Sequence, residues 1–289
     1  MGMMVQGVWR DIPRDFKSTG GAFVRPDSAF RDAVSLADAE PGRYRLYVSR
    51  ACPWAHRTLI MRAFAKLEKR LPVFNADPYM AENGWEFKDG GIRYLHELYA
   101  KAKPDYTGRV SVPTLWDEKT GRIVNNESSE IIRMMGADLY PAKLRKEIDA
   151  VNERVYQTVN NGVYRAGFST AQDKYEAAVT ELFATLDWLE KRLATRRWLC
   201  GAKLTEADVR LFTTLVRFDA VYYSHFKCNL RRLVDYPRLW RYTRRFYALP
   251  GVARTVDLAE IKSHYYRSQK HINPTQIVPK GPALDLRLR

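Results

Sequence analysis

The first half of the chain mixes strand-like and helix-like patterns of apolar residues. From Tyr44 the segment YRLYVS alternates apolar and polar positions and is rich in aromatic and β-branched residues, which predicts a strand ending near Ser49. Apolar residues then recur at helical spacing, and we predict a helix that begins at Pro53 and runs to the basic pair at 69–70. Further along we predict a strand around 73–74, a short helix near 92–102, a hairpin over 110–124 that Pro113 interrupts, and a helix over 127–136.

The second half of the chain shows helical periodicity and no strand pattern. Leucines at 182, 186, 189 and 193 follow one helix face. The segment TEAD at 205–208 is typical of a capping box at a helix start, which gives Asp208 a structural role. The pattern as a whole predicts an α/β domain followed by an all-α domain. The predicted boundaries are an N-terminal extension packing on the core at 1–43, the α/β domain at 44–136, a linker at 137–143, the helical domain at 144–271 and an extended C-terminal tail at 272–289.

The composition is that of a folded protein without membrane or disulfide signals. Hydrophobic residues make up 46% and charged residues 28% of the 289 residues, which excludes a disordered chain. No apolar stretch approaches the length of a membrane span, and the N-terminus has no signal-peptide core. The three cysteines are odd in number and widely spaced, which argues against a disulfide framework. We therefore expect a cytoplasmic protein that does not bind a membrane.

The net charge of +15 comes mostly from the second half of the chain and predicts an affinity for anions. Nucleic acid, an acidic surface and an anionic small molecule are the alternatives. The segment 236–247 interleaves basic and aromatic residues as RNA-binding helices do. Its residues Leu239, Tyr242, Phe246 and Leu249 fall at helical spacing, however, which favours a core-facing role, and we expect no nucleic-acid partner. His225 and Cys228 have the spacing of half a zinc site without a second pair nearby, so we expect no metal.

Cys52 is the strongest candidate for chemistry because it stands where a predicted strand ends and a predicted helix begins. Free N–H groups and the helix dipole at such a position lower the pKa of a thiol from about 8.5 to roughly 3.5–7.5, and the resulting thiolate is a nucleophile. The alternative is a small buried hydrophobic residue. The strand-to-helix placement favours the nucleophile.

Two further segments predict a binding site for an extended peptide-like ligand. A cis peptide bond between Val112 and Pro113 would leave the Val112 backbone open to pair with such a ligand as another strand would. Glu127 and Ser128 open a predicted helix, where hydroxyl and N–H donors bind a carboxylate and Glu127 accepts from an ammonium group. The alternatives are a proline on an edge strand and ordinary helix capping.

Ten short segments spread along the chain carry a family resemblance. They are KSTGGAF (17–23), CPWAHRTLIMR (52–62), NGW (83–85), NNES (125–128), VNNGVYRAGF (159–168), LTEAD (204–208), TLVRFD (214–219), HFKCN (225–229), HYY (264–266) and INP (272–274). With these segments the chain resembles a cytosolic glutathione transferase, with a thioredoxin-like N-terminal domain and an all-α C-terminal domain. Within that family it resembles the Xi class, the glutathionyl-hydroquinone reductases, over nearly its whole length.

The resemblance implies a glutathione-dependent reduction of glutathionyl-hydroquinones to hydroquinones. Cys52 would attack the sulfur of the substrate, release the hydroquinone and form a mixed disulfide with glutathione, which a second glutathione would release as oxidised glutathione. By the same resemblance, Tyr164 and Tyr265 would bind the aromatic hydroxyls and assist protonation of the departing ring, and Tyr266 is an adjacent candidate for substrate binding.

The resemblance also implies the residues that hold glutathione and the partners of the chain. Glutathione is the expected cosubstrate, glutathionyl-aromatic small molecules are the expected substrates, and the chain is expected to form a homodimer without any metal. The expected glutathione-binding residues are Trp85, Val112, Pro113, Glu127 and Ser128.

Two other functions stay open at this point. Any cysteine-type transferase shares the thiolate at a helix start, so a broader thiol transferase or an omega-like dehydroascorbate reductase is the first. The pair Tyr164 and Tyr265 favours a phenolic substrate instead. The second is a non-catalytic basic binding module built on the positively charged residues of 229–289.

Overall fold

The computed structural model describes residues 2–12 and 19–288, so residues 17 and 18 of the first family segment lie outside the described residues. The described residues form two compact units. The first unit draws on residues 2–12, Pro26–Ala137 and Arg254–Ile277, and the second on residues 19–25, Asp138–Ala253 and 278–288. The predicted domain boundaries, which put 254–271 in the helical domain, stay a prediction.

The first unit is built on a four-stranded mixed sheet. The sheet has the order β4-β3-β5-β6, in which β3 and β4 are parallel and the other neighbours are antiparallel. A separate N-terminal hairpin, β1 with β2, bonds through the Met4 N–H and C=O to Gly108. The strands are β1 (Met3–Val5), β2 (Val8–Arg10), β3 (Tyr44–Val48), β4 (Val73–Asn75), β5 (Thr114–Asp117) and β6 (Arg122–Asn125).

Nine α-helices occur in the described residues, four of them in the first unit and five in the second. None of the described helices is long and apolar enough to cross a membrane. Helices α1, α2, α3 and α9 belong to the first unit, and α4 to α8 to the second. The helices are α1 (Pro53–Phe64), α2 (Leu95–Ala102), α3 (Ser128–Met134), α4 (Arg145–Val155), α5 (Gly162–Gly167), α6 (Gln172–Arg192), α7 (Glu206–Leu215), α8 (Pro237–Tyr247) and α9 (Leu258–Ser268).

The predicted end of α1 is wrong, because the helix stops at Phe64 and not at 69–70. Lys66 adopts a left-handed backbone with φ of 56°, which breaks the helix, and Leu67 N–H donates to Arg62 O at 3.0 Å. The Arg62 guanidinium then bonds the carbonyl oxygens of Glu68 and Leu71, 2.9 and 2.6 Å away. Burial lowers the pKa of Arg62. Leu67 is still buried, at 3% exposure, so apolar residues continue to face the core beyond the end of α1. The backbone that carries them there is a turn and not a helix.

The second unit is organised around a buried carboxylate. Asp208 Oδ1 accepts from Leu199 N–H at 2.8 Å and from the Tyr242 hydroxyl at 3.0 Å. Its Oδ2 accepts from the N–H and the hydroxyl of Thr205, at 2.8 and 3.0 Å. Burial raises the pKa of Asp208 above its ordinary value, against the opposing effect of these four hydrogen bonds. The capping box predicted at Thr205 is confirmed, and Asp208 joins the start of α7 to α8.

Two of the aromatic residues of α8 point into the core of this unit. Leu239, Tyr242 and Phe246 are buried, while Arg238 and Arg241 are exposed. The core-facing role predicted from helical spacing is therefore confirmed for these three residues, whereas Leu249 lies beyond the end of α8 and is half-buried. The rings of Tyr242 and Phe246 are not available to stack on bases.

Candidate active site

Cys52 lies at the junction of β3 and α1, in the position that the sequence pattern predicts. Its backbone is extended, with φ of −77° and ψ of 122°, and Pro53 is the first helical residue. Proline suits this position because the N–H it lacks would have no partner within the helix. The Cys52 N–H donates to Ser49 O at 3.0 Å and its C=O accepts from His56 N–H at 2.9 Å. The sulfur is thereby held at the positive end of α1.

The Cys52 thiol contacts the backbone of the segment that precedes β5. It donates to Val112 O with an Sγ to O distance of 3.6 Å, and Cys52 is 7% exposed. The peptide bond between Val112 and Pro113 is cis, as anticipated from the sequence. Since β5 begins only at Thr114, the Val112 N–H lies outside the sheet ladder, and it has no hydrogen-bond partner among residues 2–12 and 19–288. The sulfur thus lies next to the residue that carries an open backbone donor.

Glu127 and Ser128 meet at the start of α3. Glu127 Oε1 accepts from Ser129 N–H at 3.0 Å and from the Ser129 hydroxyl at 2.8 Å, and Oε2 accepts from the Ser28 hydroxyl at 3.1 Å. Burial by itself would raise the pKa of Glu127, but these hydrogen bonds and the positive charge of Arg57 lower it below its ordinary value. The carboxylate is therefore ionised at neutral pH and capable of binding an ammonium group.

Arg57 is a charged residue of this region that sequence reasoning missed. It is 2% exposed on α1, its Nη1 donates to Ser128 Oγ at 3.4 Å, and its guanidinium lies 4.5 Å from the Trp54 ring centroid. The buried guanidinium of Arg57 links α1, which begins directly after Cys52, to the start of α3. The available signal was the position of Arg57 three and four residues before the apolar Ile60 and Met61, which a helical wheel of α1 places on the same face.

Trp85 contacts α9 through His264. The two rings are stacked, with centroids 5.0 Å apart and an interplanar angle of 18°. His264 Nδ1 lies 2.9 Å from the Pro78 carbonyl oxygen, so Nδ1 carries the hydrogen and donates it. The orientation of the Trp85 indole is therefore set by a histidine that is itself held by the backbone.

A second connection ties α9 to the loop that carries Cys52. Glu260 accepts from Asn75 Nδ2 at 3.1 Å and forms an ion pair with Arg50, with 3.7 Å between Nη1 and Oε1. Asn75 Oδ1 in turn accepts from the Arg50 N–H at 2.9 Å. Tyr265 and Tyr266 follow on the same helix and are 1% and 6% exposed.

Tyr164 belongs to the second unit, on α5. A π-helical turn, Tyr156–Asn160, immediately precedes this helix. Tyr164 is 8% exposed and packs in an aromatic cluster, with ring centroids 5.4 Å from Phe226 and 5.8 Å from Phe168. The Arg25 guanidinium lies 4.9 Å from the Tyr164 ring centroid and donates through Nε to Asn161 Oδ1 at 3.0 Å. An aromatic ring under a cation in a cluster of rings suits contact with another aromatic molecule.

Comparison with known proteins places the chain in a family. Residues 51–138 match the model of the glutathione S-transferase N-terminal domain, and residues 172–245 match that of the glutathione S-transferase C-terminal domain. A curated relative, the glutathionyl-hydroquinone reductase PcpF of Sphingobium chlorophenolicum, is 52% identical over 306 residues, which covers 99% of this chain and 98% of that protein.

Solved structures agree with the sequence relatives. The glutathione-bound structure of YqjG from Escherichia coli K-12 has a TM-score of 0.90 at 45% identity, covering 99% of this chain and 97% of that one. The glutathione S-transferase Xi of Phanerochaete chrysosporium has a TM-score of 0.88 at 48% identity, covering 92% and 94%. The chain belongs to the glutathione transferase family and to its Xi class. The fold class inferred from the family segments, a thioredoxin-like domain with an all-α domain, is confirmed.

Proposed function

We propose that this protein is a glutathionyl-hydroquinone reductase with Cys52 as its nucleophile. The observation that carries the proposal is the position of Cys52 at the start of α1, with its sulfur 3.6 Å from the Val112 carbonyl. A thiol at a helix N-terminus is the group that thiol exchange with a glutathionyl substrate requires. The 52% identity to a glutathionyl-hydroquinone reductase over nearly the full chain supports the same reaction.

Glutathione is the cosubstrate in this proposal, and the residues of the first unit suit its parts. The open Val112 N–H, which lies before the start of β5, pairs with the peptide backbone of glutathione as an added strand would. The Ser128 hydroxyl binds the γ-glutamyl carboxylate, and the Glu127 carboxylate binds the adjacent ammonium group. Trp85 contributes an apolar contact, and its orientation depends on His264.

The reaction exchanges one thioether for one disulfide. The Cys52 thiolate attacks the sulfur of the glutathionyl-hydroquinone, and the bond between sulfur and ring carbon breaks with its electron pair leaving on the ring. The ring carbon takes up a proton and becomes the C–H of the hydroquinone, while Cys52 is left in a mixed disulfide with glutathione. A second glutathione attacks that disulfide, so that oxidised glutathione leaves and the Cys52 thiolate is restored.

Tyr164 and Tyr265 are assigned to the aromatic part of the substrate. Their hydroxyls bind the hydroquinone oxygens and supply the proton that the departing ring needs. Tyr266 is the adjacent candidate for substrate contact. In the same proposal the protein works as a cytoplasmic homodimer without a metal.

The test is a comparison of the wild type with Cys52→Ser. Hydroquinone release from a glutathionyl-hydroquinone should fall by several orders of magnitude, because a serine hydroxyl is a poor nucleophile near neutral pH. Mass spectrometry of wild-type protein quenched after substrate addition should find one glutathionyl group on Cys52. Cys200 is a matched control, since burial raises its pKa to about 11, and Cys200→Ser should keep its activity. Comparable rates in the wild type and Cys52→Ser would refute the mechanism.

Dehydroascorbate reduction, measured in parallel, separates this function from the broader one. A glutathionyl-hydroquinone reductase should prefer the phenolic substrate by kcat/KM. A preference for dehydroascorbate would favour the omega-like alternative.

A further inference from the structure

The second unit contains an arginine-lined cavity that the proposed function does not use. The cavity has a volume of about 290 Å³ and is formed by the residues that follow α6 and by one face of α8. Arg238, Arg241 and Arg245 fall at helical spacing on that face, and Arg196 and Arg197 approach from the end of α6. Five guanidinium groups thus line one small cavity.

Within the described residues, carboxylates pair with only two of these five arginines, and one of these carboxylates, Glu147, also pairs with Arg192 outside the cavity. Arg196 forms an ion pair with Glu147, and Arg238 forms one with Glu190 at 3.6 Å. No carboxylate within residues 2–12 and 19–288 pairs with Arg197, Arg241 or Arg245. The carbonyl end of α6 contributes about half a negative charge, which is too little to balance three guanidinium groups.

Arg245 lies close to the other two unpaired arginines, since all three line the cavity. Burial, followed by the positive charges of Arg241 and Arg197, lowers the pKa of Arg245. Arg245 Nη1 also donates to Arg197 O at 2.9 Å, which ties α8 to the segment after α6. The arrangement holds like charges together at a surface where an anion would relieve their repulsion.

We propose that this cavity is a binding site for short phosphate chains, such as pyrophosphate, tripolyphosphate or the phosphate groups of a nucleoside triphosphate. Planar guanidinium forks match phosphate oxygens in pairs. A phosphate chain also places three or more negative charges in a space of this size, which a single carboxylate does not. Tyr242 is the one aromatic residue that lines the cavity among the described residues, and it is buried, so a single-stranded nucleic acid is the less suitable ligand.

Titration calorimetry with tripolyphosphate on the full chain tests this site. The wild type should bind one tripolyphosphate per chain, more tightly than phosphate and more weakly as salt rises. The double variant Arg197→Gln/Arg241→Gln should lose at least tenfold in affinity, since one charge-assisted hydrogen bond is worth about tenfold or more. The control is Arg231→Gln/Arg232→Gln, which removes the same charge from exposed arginines that do not line the cavity, and it should stay within twofold of the wild type.

Titrations with ATP, citrate and a single-stranded RNA test whether the cavity recognises the phosphate chain itself. Similar affinities for tripolyphosphate and ATP support recognition of the phosphate chain alone, whereas a preference of tenfold or more for ATP contradicts it. If citrate binds as tightly as tripolyphosphate, the site is not specific for phosphate and the proposal is wrong. If both double variants lose the same affinity for tripolyphosphate, the binding is general charge attraction and the proposal is also wrong. Tighter binding of a single-stranded RNA without terminal phosphates identifies a nucleic-acid surface instead.

Single variants Arg197→Gln and Arg241→Gln, with unfolding curves, replace the double variant if it folds poorly. The site does not depend on the proposed reductase activity, which all these variants should retain.

Discussion

Replacing Glu127 with glutamine removes one negative charge at the proposed glutathione site and leaves the shape of the side chain nearly unchanged. In Glu127→Gln the amide oxygen can still accept from Ser129 N–H and hydroxyl, and the new NH₂ group can face Ser28, whose hydroxyl rotates to accept. The start of α3 should therefore persist. The variant loses the negative charge of the carboxylate, which would bind the ammonium group of glutathione.

The magnitude follows from the type of hydrogen bond that is lost. A hydrogen bond with a charged partner contributes about 1.5–3 kcal/mol, and a neutral one about 0.5–1.5 kcal/mol. Glutathione should bind Glu127→Gln about tenfold more weakly. The variant offers the ammonium group of glutathione no negative charge, and one acceptor oxygen of the carboxylate is replaced by an NH₂ donor. Stability at pH 7 should fall by about 1 kcal/mol, the difference between a charged and a neutral acceptor for the Ser129 N–H.

Glu130→Gln is the matched control for this experiment. Glu130 stands in the first turn of the same helix, but its carboxylate is bound by Arg31 and by Asn125 Nδ2. The pKa of Glu130 is lowered mainly by its hydrogen bond with Arg31. Calorimetric titration with glutathione should therefore show wild-type affinity for Glu130→Gln and a weaker one for Glu127→Gln. A Glu127→Gln affinity within twofold of the wild type, or an equal loss in both variants, would refute the assignment.

The pH dependence of stability checks the same charge independently. The folded-state pKa of Glu127 lies below its unfolded value of about 4.3, so the carboxylate stabilises the fold above that pH. This contribution is lost as the pH falls through the folded-state pKa. The difference in unfolding free energy between the wild type and Glu127→Gln should therefore shrink in acid, and a constant difference would contradict the cause given for the shift.

Three further predictions concern other residues. Asp208→Ala leaves four buried donors without an acceptor and should cost about 4 kcal/mol in urea unfolding, at about 1 kcal/mol each. Asp105→Ala, at an exposed aspartate, should change little, and a small loss in Asp208→Ala would contradict the bonding described. Tyr164→Phe and Tyr265→Phe should each slow hydroquinone release more than they weaken glutathione binding, and unchanged single-turnover rates would remove these residues from the mechanism. His264→Ala should raise the KM for glutathione by freeing the Trp85 indole, with His264→Phe, which keeps a stacking ring, restoring much of it.

Several site features could be read from the order of residues because they depend on neighbours in the chain. Cys52 followed by Pro53 marks a helix start whatever the rest of the fold does, and the structure has the helix begin there. The capping box from Thr205 to Asp208 is likewise local. The end of α1 was not predictable in this way, because it depends on the left-handed turn at Lys66 and on Arg62 reaching carbonyls further along the chain.

The chain alone thus determined the strand and helix types of the mixed half after residue 44, the helical second half and the nucleophile candidate at a helix start, but not the N-terminal hairpin of β1 and β2. These follow from periodicity, turn residues and caps, whose energies act over a few residues. Only the tertiary structure decided that Arg57 meets Ser128, that His264 stacks on Trp85 and that Arg197, Arg241 and Arg245 line one cavity. Such contacts join residues far apart in sequence, and their burial and charge depend on packing that no local pattern encodes.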